Sequence, residues 1–206
     1  MSLQEVQNAW IYLDSNTMIW RGPIQAAQGV FQPIHWVAQS RMQAELRLAP
    51  NEGRIADIGC GYGIVTANLA WKKPRTEVIG IDPDEGRLQV GTQLVAEHKL
   101  RNCTFRKGTL EESGVEPNSC TGVICTEVLD HLPDGKEKLQ ERIAKLMEFL
   151  QPGGRLLVSF LDPEGFDYIG NKPPSPLRME DFAFAKDKVL ERNCPRWWYL
   201  FYIDKR

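Results

Sequence analysis

Two acids and three glycines are the residues whose types and spacing could bind a nucleotide-like cofactor. Asp57 comes at the end of a short apolar run, and Gly59, Gly61 and Gly63 follow it at every second position. Glycine permits backbone torsions that other residues avoid and lets a ligand approach the main chain closely. Asp82 ends a second apolar run about twenty residues further on, where a carboxylate can accept hydrogen bonds from ribose hydroxyls. The pattern predicts a cofactor cradle between two strands and a helix N-terminus.

The spacing of the glycines departs from the dinucleotide fingerprint. That fingerprint is G-x-G-x-x-G, and here its sixth position is Ile64, because the third glycine comes one residue early. The chain also lacks a phosphate-binding G-x-x-x-x-G-K-[ST] loop and a kinase loop. An ordinary tight turn is the alternative for the glycines, and a helix N-cap is the alternative for Asp82.

Two segments resemble a known family. Arg54–Gly63 resembles motif I of the class I S-adenosylmethionine-dependent methyltransferases. Thr126–Asp134 contains Glu-Val-Leu-Asp-His-Leu, which resembles the stretch after the fourth strand in the small-molecule type of that family (methyltransferase domain 11/25-like). The resemblance covers residues 53 to 161 by motif. It implies S-adenosylmethionine as the cofactor and methyl transfer to an O, N or C atom of a small-molecule acceptor.

The resemblance also implies which residues contact the cofactor. Asp57 is expected at the amino-acid end of the ligand, Asp82 at the ribose, and the turn after the third strand at the adenine. In that turn Thr109 stands where the family usually has an aspartate, so the backbone of Leu110 is expected to contribute more than the Thr109 side chain. The full set of expected cofactor-binding residues is Asp57, Gly59, Cys60, Gly61, Asp82, Pro83, Thr109, Leu110 and Thr126.

Asp130 and His131 form the one candidate acid/base pair near this site. An imidazole can accept a proton from an acceptor hydroxyl or amine, so His131 is the candidate catalytic residue. Adjacent residues point in different directions on regular elements, and a structural role for His131 is the alternative. The sequence shows no set of converging metal ligands, and no metal site is expected.

Strands and helices alternate through the part of the chain that carries the motifs. Apolar runs predict strands at Ile55–Ile58, Glu77–Asp82, Cys103–Arg106, Thr121–Cys125 and Arg155–Leu161, and helices at Ile64–Ala70, Pro83–His98 and Gly135–Leu150. We therefore expect an α/β fold: a Rossmann-like, doubly wound, mostly parallel sheet, the class I methyltransferase fold. An N-terminal helical extension over residues 1–50, acting as a lid, would precede the cofactor-binding domain of residues 51–206.

The two flanks are less regular. Leu3, Val6, Trp10 and Leu13 recur at helical spacing, and a second helix is predicted over residues 34–48. At the other end we predict a helix over 177–192, one strand over 197–203 and a shortened C-terminal end. Either Phe166–Ile169 supplies a further strand, or the sheet has six strands.

Composition limits the remaining possibilities. The chain has 206 residues and a net charge of -2, which gives no reason to expect nucleic acid as a partner. Five cysteines without zinc or redox spacing favour free thiols in a reducing, cytoplasmic compartment. No membrane span or secretory signal is recognised, and the oligomeric state is not determined. A catalytically silent cofactor-binding scaffold is the main alternative function. An NAD(P)-binding oxidoreductase domain and a transferase using decarboxylated cofactor are less favoured.

Overall fold

The computed structural model describes residues 10–14, 17–20, 45, 47–161, 163, 174–185, 190, 191 and 198–206. Within these ranges the strands are β1 (Trp10–Asp14), β2 (Thr17–Trp20), β3 (Gly53–Ile58), β4 (Thr76–Asp82), β5 (Cys103–Lys107), β6 (Cys120–Thr126), β7 (Leu150–Leu161), β8 (Leu190–Glu191) and β9 (Trp198–Asp204). The α-helices are α1 (Ile64–Lys72), α2 (Glu85–Glu97) and α3 (Leu139–Phe149), and a 3-10 helix spans Met179–Ala185.

One seven-stranded sheet has the order β5-β4-β3-β6-β7-β9-β8. The strands from β5 to β7 are parallel, and β9 is antiparallel to both of its neighbours. The chain builds outward from β3 through β4 to β5 and then returns to place β6 on the other side of β3. Ligands bind at such reversal points of open α/β sheets, outside the carboxyl ends of the strands. The predicted doubly wound, mostly parallel sheet is confirmed.

Each face of the sheet is covered by its own apolar core. Neighbouring residues on a strand point to opposite faces, so Ile55 belongs to the core under α1 and α2, while Ala56 belongs to the core under α3. Leu139, Ile143 and Leu146 repeat at helical spacing and form the buried stripe of α3. Central strands buried on both faces explain the nearly continuous apolar runs of the sequence.

The predicted strands and helices of this sheet are confirmed, with two shifted helix starts. Helix α2 begins at Glu85 rather than at Pro83, because Asp84 is its N-cap and accepts a hydrogen bond from the backbone N–H of Arg87 (3.1 Å). Helix α3 begins at Leu139, four residues after the predicted Gly135. The two-residue difference at α2 lies within the usual uncertainty of helix ends, whereas the four-residue difference at α3 exceeds it.

The prediction of an N-terminal helix is wrong where the structure describes that segment. Trp10–Asp14 forms β1, which pairs antiparallel with β2 in a separate two-stranded sheet, with Ile11 opposite Ile19. Helical spacing of apolar residues was outweighed by the strand tendency of a short Trp-Ile-Tyr run. Of the second predicted helix, Glu45, Arg47 and Leu48 are helical, and residues 34–44 lie outside the described ranges. The lid role of residues 1–50 stays a prediction.

The C-terminal end also differs from the prediction. The strand over 197–203 is confirmed as β9, but the sheet has a seventh strand, β8, at Leu190–Glu191, where a helix was predicted. Only Met179–Ala185 of that predicted helix is helical among the described residues, and it is a 3-10 helix. Phe166–Ile169 lies outside the described ranges. The end of the fold is therefore not shortened to a six-stranded sheet.

Candidate cofactor and active site

The glycine turn, residues 59–63, is attached to the end of β4 by backbone hydrogen bonds. The N–H groups of Gly59 and Cys60 both donate to the carbonyl oxygen of Ile81, at 2.7 and 3.0 Å, and that of Gly63 donates to Cys60 O at 2.9 Å. Gly59, Gly61 and Gly63 have φ angles of 73°, 56° and 74°, which lie in the left-handed region that favours glycine. Because the N–H groups of Gly59 and Cys60 are bonded within the protein, they are not available to donate to a ligand.

The three glycines differ in what surrounds them. A Cβ at Gly59 would collide with the Val128 side chain, and one at Gly63 would collide with the Phe105 ring. A Cβ at Gly61 would meet no protein atom within 4 Å. Gly59 and Gly63 are therefore small because the protein packs on them, whereas the space beside Gly61 is open to a ligand.

The Asp82 carboxylate lies against this open space and is anchored at both oxygens. Oδ2 accepts from Gly61 N and Oδ1 accepts from Asp84 N, each at 2.9 Å. The residue is 5% exposed. Each carboxylate oxygen can accept a second hydrogen bond, so two acceptor positions of fixed geometry remain for a pair of hydroxyls. The N-cap alternative for Asp82 is wrong, because Asp84 caps α2.

Asp57 lies inside the protein rather than at the sheet edge. Its side chain is 2% exposed, and its Oδ2 accepts a hydrogen bond from Thr66 Oγ1 at 2.6 Å. The place of Asp57 at the end of the apolar run predicts a side chain that points out of the sheet edge, and this prediction is wrong. The bond joins β3 to α1 directly below the glycine turn, so Asp57 supports the turn from within. Sequence reasoning missed Thr66, whose only signal is a hydroxyl on the first turn of α1.

The turn predicted to border the adenine is attached to the same strand end. Gly108 N donates to Asp82 O at 3.2 Å, which holds the turn after β5 beside β4. Thr109 is exposed, and its Oγ1 accepts from Glu112 N at 3.2 Å, so the hydroxyl already serves the turn itself. The Leu110 side chain is buried in the core under α3. Pro83 is exposed at the end of β4.

The other wall of the cradle is the loop after β6. Thr126 is half-buried, and the next residue, Glu127, has a φ of 56°, which is uncommon for a non-glycine residue. The N–H of Glu127 donates to Ser159 O at 3.0 Å and ties the loop to β7. Asp130 is 0% exposed, whereas His131 is exposed. The two members of the candidate pair thus lie in different environments, and catalysis by His131 stays a prediction.

The chain was compared with known proteins. The sequence profile of a family described as a methyltransferase domain matches residues 55–154. A ubiquinone biosynthesis O-methyltransferase of Hahella chejuensis is 31% identical over 173 residues, which are 83% of this chain and 66% of that protein. The protein of the same name in Vibrio cholerae is 30% identical over 145 residues, covering 69% of this chain and 56% of its own length. The chain belongs to the class I S-adenosylmethionine-dependent methyltransferase family.

Solved structures show the same fold. Magnesium protoporphyrin IX methyltransferase from Synechocystis, crystallised with bound SAH, has a TM-score of 0.68 at 20% identity and covers 86% of this chain and 87% of its own. A Pyrococcus horikoshii protein has a TM-score of 0.69 at 15% identity, covering 85% and 92%. The chain spans about two thirds or less of the length of the curated relatives named above.

The residues of this methyltransferase fold fit the family's cofactor. S-adenosylmethionine has a ribose with two hydroxyls and an amino-acid end, and the open space beside Gly61 lies next to the doubly anchored Asp82 carboxylate. A side chain larger than hydrogen at Gly61 would enter that space. The cradle is therefore shaped for a ligand that lies directly on the main chain.

The Cys60 thiol beside this cradle is held in its neutral form. Burial raises the pKa of the Cys60 thiol far above its usual range, and the negative charges of Asp57 and Asp82 raise it further. The thiolate is the nucleophilic form of cysteine, so this side chain stays unreactive near neutral pH.

The described part of the chain contains no group of three or more His, Cys, Asp or Glu residues arranged to hold a metal ion. Within the same ranges, no helix is long and apolar enough to span a membrane.

Proposed function

We propose that the chain catalyses transfer of a methyl group from S-adenosylmethionine to a hydroxyl oxygen of a small-molecule acceptor. The observation that carries this proposal is the open space beside Gly61 with the Asp82 carboxylate fixed next to it. The choice of oxygen over nitrogen or carbon is supported by the names of the curated relatives, which are O-methyltransferases.

In this proposal the chain's residues mainly bind and orient. Asp82 accepts the ribose hydroxyls, the carbonyl oxygens of the glycine turn accept the amino group, and the turn at Thr109 and Leu110 borders the adenine. Pro83 lies against the ribose side and Thr126 against the reacting end. Bound S-adenosylmethionine supplies a methyl group activated by its sulfonium. Holding an acceptor oxygen in line with that methyl lowers the activation barrier by several kcal/mol, about the amount known for well-oriented reactions.

An acceptor hydroxyl must lose its proton in this reaction. His131 is the proposed acceptor of that proton, since it is the one histidine in the loop after β6 and it is exposed. The loop holds it through a hydrogen bond from its backbone N–H to Val128 O at 3.0 Å. A cytoplasmic location and the lack of a nucleic-acid partner belong to the same proposal, supported by the four free cysteines of the described residues and by the net charge of -2.

The cofactor part of the proposal is tested by calorimetric titration with S-adenosylmethionine and S-adenosylhomocysteine. We expect Asp82→Ala to weaken binding at least about a hundredfold, because two charge-assisted hydrogen bonds are lost together with the anchor of Gly61 N. Asp82→Asn keeps one acceptor oxygen, so its affinity for the cofactor should lie between those of wild type and Asp82→Ala. Glu77→Gln is the matched control: it removes a carboxylate from the same strand at an exposed site on the opposite edge of the sheet.

Absence of binding by well-folded wild-type protein would contradict the proposal. Equal binding by wild type and Asp82→Ala would contradict the assignment of the ribose site.

A catalytically silent cofactor-binding scaffold is the second candidate. Thr109 favours it, because its hydroxyl is occupied by Glu112 N where the family usually has an aspartate. Turnover with phenol and catechol acceptors separates the two: methylated product supports the enzyme, while tight cofactor binding without product on any acceptor supports the scaffold. Titration of NADH followed by its fluorescence tests the oxidoreductase alternative, for which we expect no binding.

A further inference from the structure

One loop forms a wall of the cofactor cradle. This loop, residues 127–135, is called here the switch loop, because it follows β6 at the point where the strand order reverses. Its Val128 side chain lies so close to Gly59 that a Cβ on the glycine would collide with it. The position of the switch loop therefore determines how the glycine turn is supported.

A buried cation holds this loop from the side of α3. Arg142 is 7% exposed, and its Nη2 donates to Pro133 O, near the end of the loop, at 2.8 Å. Its Nε and Nη1 are buried and have no hydrogen-bond partner among the described residues. Few arginines are this buried, and a guanidinium with unused donors costs free energy that an apolar residue would avoid.

A buried acid of the loop lies near the same strand end as Arg142. Asp130, in the switch loop, is fully buried, and the charges of Asp130 and Arg142 both act on the Cys125 thiol at the end of β6. Burial raises the pKa of Cys125, the negative charge of Asp130 raises it further, and the positive charge of Arg142 lowers it. Arg142 and Asp130 are therefore opposite charges that are both near the Cys125 thiol.

The loop is also attached to the segment around Ser175. Ser175 N donates to Asp130 O at 3.1 Å, and Lys136 N, just past the loop, donates to Ser175 Oγ at 3.0 Å. Arg142 adds a side-chain bond from α3 to Pro133 O, so removing it would loosen this end of the loop while the other attachments remain.

We propose that Arg142 is a positioning residue for the cofactor site: its guanidinium holds the switch loop where Val128 packs on Gly59, and so sets cofactor affinity without touching the cofactor. This inference rests on the proposed function. It differs from a purely structural role, because a residue that only stabilises α3 would change unfolding and leave the affinity of the folded protein unchanged.

The test measures S-adenosylhomocysteine affinity by calorimetry well below the unfolding temperature, with thermal unfolding followed in parallel. We expect Arg142→Met and Val128→Ala each to weaken binding about tenfold, and the double variant to bind no more than about twice as weakly as the weaker single variant. Residues that act through one contact show such non-additivity, whereas independent residues show multiplied losses. Lys145→Met, which removes a more exposed cation from the same helix, should bind like wild type.

Three results would overturn the inference. They are wild-type affinity in Arg142→Met, multiplied losses in the double variant, and an equal loss in Lys145→Met. If Arg142→Met does not fold, Arg142→Lys replaces it in the same comparison of single and double variants, since lysine keeps the charge and loses the planar guanidinium group. Failure of wild type to bind S-adenosylhomocysteine would overturn both this inference and the proposed function, while normal wild-type binding with an unchanged Arg142→Met would overturn this inference alone.

Discussion

At the amino edge of the sheet, Asn102 donates from its Nδ2 to three backbone carbonyls: Thr76 O at 2.8 Å, Ala70 O at 2.9 Å and Lys73 O at 3.3 Å. Lys73 Nζ donates to Ala49 O and to Asn51 Oδ1, both at 2.8 Å. Side chains at this edge thus donate hydrogen bonds to backbone carbonyl groups where helices end and strands begin. The buried Thr76 Oγ1 is an exception, because it has no hydrogen-bond partner in the described part of the chain.

At the carboxyl edge the buried polar groups are less satisfied. Ser159 Oγ is fully buried and, within the described residues, makes no hydrogen bond. Among the described residues Arg142 keeps two buried nitrogens without hydrogen-bond partners, and the space beside Gly61 is open. Unsatisfied buried polar groups are uncommon in native structures, so each of them calls for an explanation.

The two edges of the sheet therefore differ in role: the amino edge mainly stabilises the fold, and the carboxyl edge mainly forms the cofactor site. Bonds at the amino edge connect elements that must stay together, so changes there should alter unfolding and leave ligand affinity intact. Groups at the carboxyl edge are arranged around the cradle, so changes there should alter ligand affinity more than unfolding. Three experiments test this separation, in order of decreasing expected effect.

The largest effect is expected at two glycines of the same turn. Gly61 and Gly63 both have positive φ angles, so an alanine costs each a similar strain of about 1–2 kcal/mol. At Gly63 the new methyl also collides with Phe105, which brings the expected loss of unfolding free energy to about 3 kcal/mol or more. In Gly61→Ala the free energy of unfolding should fall only by the cost of the backbone strain. The variant should nevertheless bind S-adenosylhomocysteine at least about tenfold more weakly.

Denaturant unfolding and calorimetric binding on both variants check this. Gly63→Ala serves as the control for strain in Gly61→Ala. Unchanged affinity in Gly61→Ala would show that the open space beside it is not where the cofactor lies.

A smaller effect is expected at the amino edge. Asn102→Asp keeps the size of the side chain but replaces its donor by an acceptor that faces three carbonyl oxygens. We expect a loss of about 2 kcal/mol in the free energy of unfolding, because charge and carbonyl oxygens repel and hydrogen bonds are lost. Cofactor affinity should stay within about twofold of wild type. A marked loss of affinity at temperatures where the variant is folded would mean that the two edges are not independent.

The smallest effect is expected at the exposed ion pair of the same edge. Arg54 contacts Glu77 through two hydrogen bonds of 3.0 and 3.1 Å, and both side chains are about half-exposed. Because water and salt screen such pairs, Glu77→Gln should change the free energy of unfolding by less than about 1 kcal/mol. The difference from wild type should shrink as salt rises from low to about 1 M, where screening acts within a few ångströms. A salt-independent loss would point to packing rather than to charge.

Much of the sheet could be predicted because its signals are local. The apolar runs of β3 and β4, the glycines after β3 and Asp82 at the end of β4 are all read from short stretches of sequence. The flanks could not be predicted in the same way. The two-residue strand β8 exists only because β9 supplies its hydrogen-bond partners, with Leu190 opposite Phe201 and Glu191 opposite Leu200.

The sequence by itself determined the fold class and the family, and it predicted the position of the cofactor cradle. It did so because glycine spacing and acid placement follow from backbone chemistry within each strand–turn–helix unit. Only the tertiary structure decided which way Asp57 points, which glycine leaves room for a ligand, and that Arg142 reaches Pro133. These depend on distances between residues far apart in the chain, which parallel pairing and helix packing determine and which no local pattern records.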